Sequence, residues 1–264
     1  MAEPITDGTS GFSLSRHLLG DPTTPSGEDL VIQLVSGGEA ILETAPPRTV
    51  VLAPTGDVGL LTARPWQLAL KRAIDVVGSL TLLALSSPLF LLTALAILLT
   101  SPGPVFFAQA RLGREARPFR MFKFRSMYRD ADDQKNAFES LNECNGPLFK
   151  IRRDPRITPI GRLIRRFSID ELPQLINVLM GEMSLVGPRP PLPEEYEEYG
   201  PRARQRLSVT PGITCIWQVS GRCELDFATM VEMDLEYIQN WTPLLDLRVI
   251  GRTIPAVLSG RGAY

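Results

Sequence analysis

The chain has 264 residues, enough for one large domain or two small ones. Its 28 Lys and Arg balance 29 Asp and Glu, which excludes a dedicated nucleic-acid binder, whose footprint needs a strong basic excess. A single histidine, His17, excludes His-based triads and the common zinc sites. The three cysteines, Cys144, Cys215 and Cys223, form no CxxC pair and suit reduced cytosolic thiols rather than a disulfide framework. No basic start followed by an apolar core marks a secretory signal.

Residues 1–65 are rich in Pro, Gly, Thr and Ser and read as an N-terminal extension, disordered to about Ser26. Short strands are expected around Leu30–Val35 and Val50–Leu52. From Val76 to Leu99 no residue is charged, and at about 1.5 Å per residue this run is long enough to cross a hydrocarbon core about 30 Å thick. Ser86-Ser87-Pro88 interrupts it near the middle, where proline removes a helix hydrogen bond. Basic residues flank both ends: Lys71 and Arg72 before it, a block from Arg111 after it. Positive flanks favour the cytoplasmic side, so the reading is a helix that enters, bends at Ser87-Pro88 and returns to the same face. Serine hydroxyls would re-satisfy the carbonyls freed there, and Asp75 would sit near the interface. A straight span with a tolerated proline is the alternative; a buried helix of a soluble protein is the other.

Residues 111–129 carry seven basic side chains against one acid, Glu115, a composition suited to phosphates or anionic headgroups. Val105–Gln109 and Phe119–Arg125 flank a turn at Leu112–Pro118 and predict a hairpin, the second strand alternating apolar and basic. Arg120, Lys123 or Arg125 would face a site; a solvated basic edge strand is the plain alternative. A polar helix and loop are expected over 130–146, then a turn at Pro155–Gly161 and a helix through Arg162–Arg166.

Next comes Phe167-Ser168-Ile169-Asp170-Glu171-Leu172-Pro173-Gln174. Ser168 followed three residues later by Glu171 reads as a capping box, placing both acids in the first turn of a helix ending near Gly181. Two acids in a first turn are ordinary capping chemistry when taken alone. Met183–Pro191 is expected to be neither regular helix nor central strand, with prolines bracketing Arg189. An acidic helix follows at Glu194–Glu198, then a glycine-bearing loop from Thr210 to Arg222. Phe227, Met230, Val231 and Ile238 form a helical stripe read as core, and Leu244–Leu258 an apolar, weakly amphipathic helix suited to a membrane surface.

The acidic pair suits a divalent cation such as Mg²⁺, which takes oxygen ligands and substrate phosphates. It equally suits a carboxylate nucleophile. Arginines match phosphate oxygens bidentately. The residues by themselves therefore point to Mg²⁺-dependent phosphoryl transfer at a membrane face.

Several ordered runs then resemble one family: Lys71-Arg72-Ala73-Ile74-Asp75, Gly103-Pro104-Val105-Phe106-Phe107, Lys123-Phe124-Arg125-Ser126-Met127, Ser168–Gln174, Gly187-Pro188-Arg189-Pro190 and Pro211-Gly212-Ile213-Thr214. Over about residues 66–264 the chain resembles the bacterial sugar transferases, the monotopic polyprenyl-phosphate phosphoglycosyl transferases. The resemblance implies an α+β, mostly helical fold. It comprises a re-entrant membrane helix-break-helix over 66–104 and a cytosolic catalytic domain over 105–264, with a small β-hairpin and surface amphipathic helices. It implies transfer of sugar-1-phosphate from a UDP-sugar to undecaprenyl phosphate, with UMP released. Asp170 would be the nucleophile of a covalent phosphosugar intermediate and Glu171 the Mg²⁺ ligand. Lys123, Arg165, Arg189 and Arg222 would bind substrate phosphates, and Ser87-Pro88 would make the membrane break. The implied place is the bacterial inner membrane, catalytic domain facing the cytoplasm, in contact with membrane lipid and compatible with a homodimer. Glucose and galactose are the sugars implied. Cys215, followed by Ile216 and Trp217, departs from the family's Gly after Gly-Ile-Thr. The four extra spanning helices of larger members are not expected here. A membrane-anchored scaffold without turnover, and transfer of a whole sugar releasing UDP, are the competing readings.

Overall fold

The computed structural model describes residues 59–131, 134, 138, 141–143, 149, 151, 153–220 and 225–260. The expectations for residues 1–58, for most of the polar segment 130–146, and for His17, Cys144, Arg222 and Cys223 lie outside these residues.

Helix α1 runs from Pro65 to Thr100 without interruption, with Pro65 at its first position and Pro88 inside it. The helical hydrogen bonding thus continues through Ser87-Pro88, where the break is expected. The reason is local: Pro88 has no N–H for the carbonyl of Ala84, and the Ser87 hydroxyl donates to that oxygen instead, at 2.8 Å. Ser86 donates likewise to Leu82 O at 2.6 Å. Both ends of α1 pack on the body of the protein. In the first part Lys71, Asp75 and Ser79 are buried; in the last part Thr93 and Ile97. Between them Leu80, Leu82, Leu85, Leu89, Leu91 and Leu92 are exposed.

Lys71 and Arg72 are not free cationic flanks. Lys71 Nζ donates to Val186 O, Tyr237 Oη and Asp246 Oδ2 at 3.0, 3.3 and 2.8 Å. Arg72 donates to Val178 O and Leu179 O. Asp75, expected near the membrane interface, is buried against the body of the protein.

The hairpin is formed as expected by β1 (Phe106–Leu112) and β2 (Pro118–Phe124), antiparallel, with Phe106 opposite Phe124 and Leu112 opposite Pro118. Phe124, 1% exposed, anchors its inner face with Ile97 of α1 and Ile164; burying one such ring contributes about 1.5–3 kcal/mol. Phe90, Phe106 and Phe124 form an aromatic trio with centroids 4.6–5.8 Å apart. Arg125 does not face a site: it donates to Ser101 O and Pro102 O and ties down the exit of α1.

Helix α2 (Pro159–Arg166) starts on Thr158, whose side chain accepts from Gly161 N. Only glycine is accommodated at 161, since a Cβ there would strike Ser126 O. After α2 come a short 3₁₀ turn, Ile169–Glu171, and α3 (Gln174–Met180), closed by Gly181 at φ +85° as the sequence predicts. Asn177 of α3 bonds the hairpin backbone twice, donating to Arg120 O and accepting from Phe122 N.

A short edge strand follows, in keeping with the expectation of neither regular helix nor central strand. β3 (Ser184–Val186) pairs in parallel with β4 (Gly212–Thr214). The prolines at 188, 190 and 191 lie beyond the three paired residues, so the ladder stops before them. Gly187 and Gly212 meet backbone to backbone, where a Cβ on either would clash. Short helices α4 (Pro193–Glu197) and α5 (Pro201–Arg204) come between the two strands. Helix α6 (Ile216–Ser220) replaces the expected loop at Trp217. Helix α7 (Phe227–Gln239) buries Met230, Val231 and Ile238, and half-buries Phe227 against Tyr199. Beneath it Arg206 and Asp234 form a buried pair that also takes Trp217 Nε1. Helix α8 (Pro243–Ser259) buries Leu245, Asp246 and Val249 and exposes Leu244, Leu247, Ile254 and Leu258. The described residues are thus mostly helical with two small two-stranded sheets.

Candidate active site

Asp170 and Glu171 do not sit in a capped first turn. Ser168 adopts φ +52° and its side chain caps nothing; its N–H instead closes α2 on Arg165 O at 3.0 Å. Left-handed backbone at a non-glycine residue costs about 1 kcal/mol or more, and here it reverses the chain so that both acids ride the 3₁₀ turn between α2 and α3. Ile169 and Leu172 plug that turn into the Ile97–Phe124–Ile164 cluster. The acidic pair is thereby seated on the last part of α1.

Lys123 of β2 reaches Glu171, Nζ to Oε1 3.2 Å, with 19% and 24% of the two side chains exposed. Asn177 sets this distance, since it locks α3, directly after the acids, onto β2. Asp170 is 6% exposed. Burial pushes its carboxyl up to about 6, the neighbouring Glu171 pushes the same way, and Lys123 and Arg165 pull it down. The Lys123 ammonium is lowered by burial, opposed by the two carboxylates.

A shallow groove opens beside the pair, lined by Arg111, Lys123, Glu171, Gln174, Arg189 and Gln218 among others. Arg189 is carried by the Pro188–Pro191 segment, which three backbone bonds fix: Gly187 N to Thr214 O, Gly212 N to Pro188 O and Leu112 N to Pro191 O. Arg189 also borders a second hollow formed by Glu195, Tyr199, Arg206, Trp217 and Phe227.

The sequence reading passed over Arg111 as a site residue. It is buried, donates to Pro190 O at 3.1 Å and lies 3.7 Å from Glu195. Burial, and next the charge of Arg189, bring its guanidinium down to about 10. A buried guanidinium and a half-buried one lining the same groove make a surface that favours anions. Its place in the basic block was visible in the sequence; its inward direction follows only from the register of β1. Gln174 and Gln218 gave no signal at all.

Of the expected site residues, the structure brings Lys123, Asp170, Glu171 and Arg189 together. Arg165, in the last turn of α2, acts on Asp170 by its charge and does not line the groove. Ser87 and Pro88 lie in the exposed middle of α1. Cys215 is buried with Trp217, Met230 and Met233 directly behind the groove wall, its thiol donating to the groove-lining Gln218 at Oε1, 3.2 Å.

Among the described residues no cluster of three His, Cys, Asp or Glu forms a self-sufficient metal site. The adjacent carboxylates are nevertheless hard oxygen donors, and Glu171 lines a groove walled by the cationic Arg111, Lys123 and Arg189. This donor set suits Mg²⁺ whose remaining ligands are water and substrate phosphate.

A family model described as Bacterial sugar transferase matches residues 66–260. Galactosyl transferase CpsE of Streptococcus agalactiae is 45% identical over 196 residues, 73% of this chain and 43% of that protein. Exopolysaccharide production protein ExoY of Rhizobium meliloti is 41% identical over 198 residues, covering 74% of this chain and 88% of its own. Undecaprenyl-phosphate glucose phosphotransferase of Komagataeibacter xylinus is 46% identical over 223 residues, 78% of this chain and 39% of that protein. The chain thus spans less than half of two of these relatives and most of the third. Helix α1, the acidic pair and every described wall of the groove fall inside the matched region, and the chain belongs to the bacterial sugar transferases, the phosphoglycosyl transferase family.

Proposed function

We propose that this chain transfers sugar-1-phosphate from a UDP-sugar to undecaprenyl phosphate and so begins the assembly of an exopolysaccharide. The observation that carries this reading is the Asp170–Glu171 pair held against Lys123 at the edge of a groove walled by Arg111 and Arg189. Relatives named for undecaprenyl-phosphate galactose and glucose phosphotransfer support the substrates.

An ionised Asp170 oxygen attacks the phosphorus that bears the sugar. The P–O bond to the nucleotide breaks and UMP leaves with that electron pair. The phosphate oxygen of the lipid then attacks the same phosphorus, the acyl–phosphate bond breaks, and Asp170 is regenerated. Desolvation of Asp170 makes its carboxylate more basic and a better nucleophile. Lys123, Arg111 and Arg189 offset the charge that gathers as phosphates approach a carboxylate. Mg²⁺ bound through Glu171 would neutralise further phosphate charge.

Helix α1 is proposed as a re-entrant membrane element, and its exposed leucines as the part in lipid. Both of its ends pack on one body, which supports entry and exit on the same, cytoplasmic, side of the inner membrane. Cysteines placed before Lys71 and after Arg111 should both label from the cytoplasmic side; label from opposite sides would establish a straight span. The exposed stripe Leu244, Leu247, Ile254 and Leu258 of α8 suits contact with the same surface.

The chemistry is tested by incubating protein, Mg²⁺ and undecaprenyl phosphate with a panel of UDP-sugars. UMP is the expected product, abolished by Asp170→Asn. UDP in its place would mean transfer of the whole sugar. No nucleotide release with any donor would refute the reading and leave the scaffold role.

A further inference from the structure

An almost wholly apolar helix has no hydrophobic reason to turn one face rather than another toward its protein when the alternative solvent is lipid. Something polar must choose the face. The buried positions in the first part of α1 are Lys71, Asp75 and Ser79, spaced by four and therefore on one side of the helix. Asp75 Oδ1 accepts from Ser184 Oγ and Leu185 N, both at 2.9 Å. Lys71 Nζ is ion-paired with Asp246 of α8 and bonded to Val186 O, while Tyr237 Oη donates to Asp246 Oδ1 and also lies 3.0 Å from Val186 O. Arg72, next on the helix, donates to Val178 O and Leu179 O at 2.6 and 2.7 Å, carbonyls at the end of α3.

These bonds reach both arms of the groove. β3 leads into the segment bearing Arg189, and α3 follows directly on Asp170 and Glu171. The arms do not depend on them: the first is held by β4 and Leu112, the second by Asn177 and Lys123. What depends on the polar face is the rotation and height of the first part of α1.

We propose that Lys71, Arg72 and Asp75 are positioning residues that set the register of the membrane helix against the groove, and that they serve the lipid half of the reaction selectively. The inference rests on the transfer to undecaprenyl phosphate proposed above. Misplacing a bound partner by about 1 Å costs up to about 100-fold in rate, and the first part of α1 is the part whose placement these bonds set.

The full chain in nanodiscs, with Lys71→Met, Arg72→Gln and Asp75→Asn, is assayed in two ways. Exchange of labelled UMP into the UDP-sugar without lipid reads the nucleotide half; transfer to undecaprenyl phosphate reads the whole. Expected is a fall of about 10- to 100-fold in transfer with a raised KM for lipid, exchange staying within about twofold. The double variant Lys71→Met/Asp246→Leu removes the buried ion pair as a unit; it should melt near wild type and still show the lipid defect. A parallel fall in exchange and transfer, or unchanged transfer, would overturn the inference. Absence of exchange in the wild type would instead refute the covalent intermediate. The two KM values then decide: a raised KM for lipid with an unchanged KM for UDP-sugar upholds the positioning role, and equal rises end it.

Discussion

Removing the lysine beside the acidic pair should move the acid limb of the pH–rate profile upward. Asp170 must be ionised to attack, and its carboxyl already stands above the ordinary value because burial outweighs the pull of Lys123 and Arg165. In Lys123→Met the pull of the ammonium goes, while desolvation and the Glu171 charge remain. An opposite charge close to a carboxylate is worth about 1–3 pKa units, or roughly 1.4–4 kcal/mol. Solvent reaching Lys123 and Glu171, 19% and 24% exposed, favours the lower part of that range. The limb of kcat/KM, followed by UMP release, should therefore shift up by about one to two units. The plateau will fall as well, because Lys123 also faces substrate phosphate, but limb position and plateau height are separate readings. Lys123→Arg should leave the limb nearly in place. An unshifted limb in Lys123→Met would refute the electrostatic account of Asp170.

Asp170→Asn should stabilise the protein while abolishing turnover. A carboxyl whose folded pKa is raised contributes stability below its unfolded value and loses it as pH rises through the folded one, so ionised Asp170 is a cost at pH 8. The gain should be about 1–3 kcal/mol, several degrees in Tm, at pH 8 and should vanish near pH 4 in paired thermal melts. Glu171→Gln should raise the Mg²⁺ concentration needed for half-maximal UMP release; an unchanged requirement would remove Glu171 as the ligand. Arg206→Leu leaves Asp234 buried without its partner and should cost about 3–5 kcal/mol in denaturant unfolding. Gly212→Ala drives a Cβ into Gly187 backbone, and should cost about 1–3 kcal/mol and lower kcat/KM through displacement of Arg189.

Local chemistry made much of this protein legible in its sequence. The uncharged run 76–99, the hairpin with its turn at 112–118, the helix stop at Gly181 and the stripe of α7 are periodicity and backbone effects, and they need no knowledge of neighbours. So was the acidic pair, with Lys123 and Arg189 as partners, because several motifs in order resemble one family. What misled was local chemistry overruled from a distance. Ser168–Glu171 has the spacing of a capping box, but apolar packing of Ile169 and Leu172 bends the chain through a left-handed serine instead. Lys71, Arg72 and Asp75 look like charges at a membrane boundary. Their partners lie about a hundred or more positions downstream, at Val178, Ser184, Val186 and Asp246, where no sequence window reaches. The parallel pairing of β3 with β4 and the inward turn of Arg111 are likewise properties of the assembled chain. The sequence by itself determined which groups could do phosphoryl transfer. The tertiary structure decided which of them share one groove, because burial and charge act through space between residues that the chain keeps far apart.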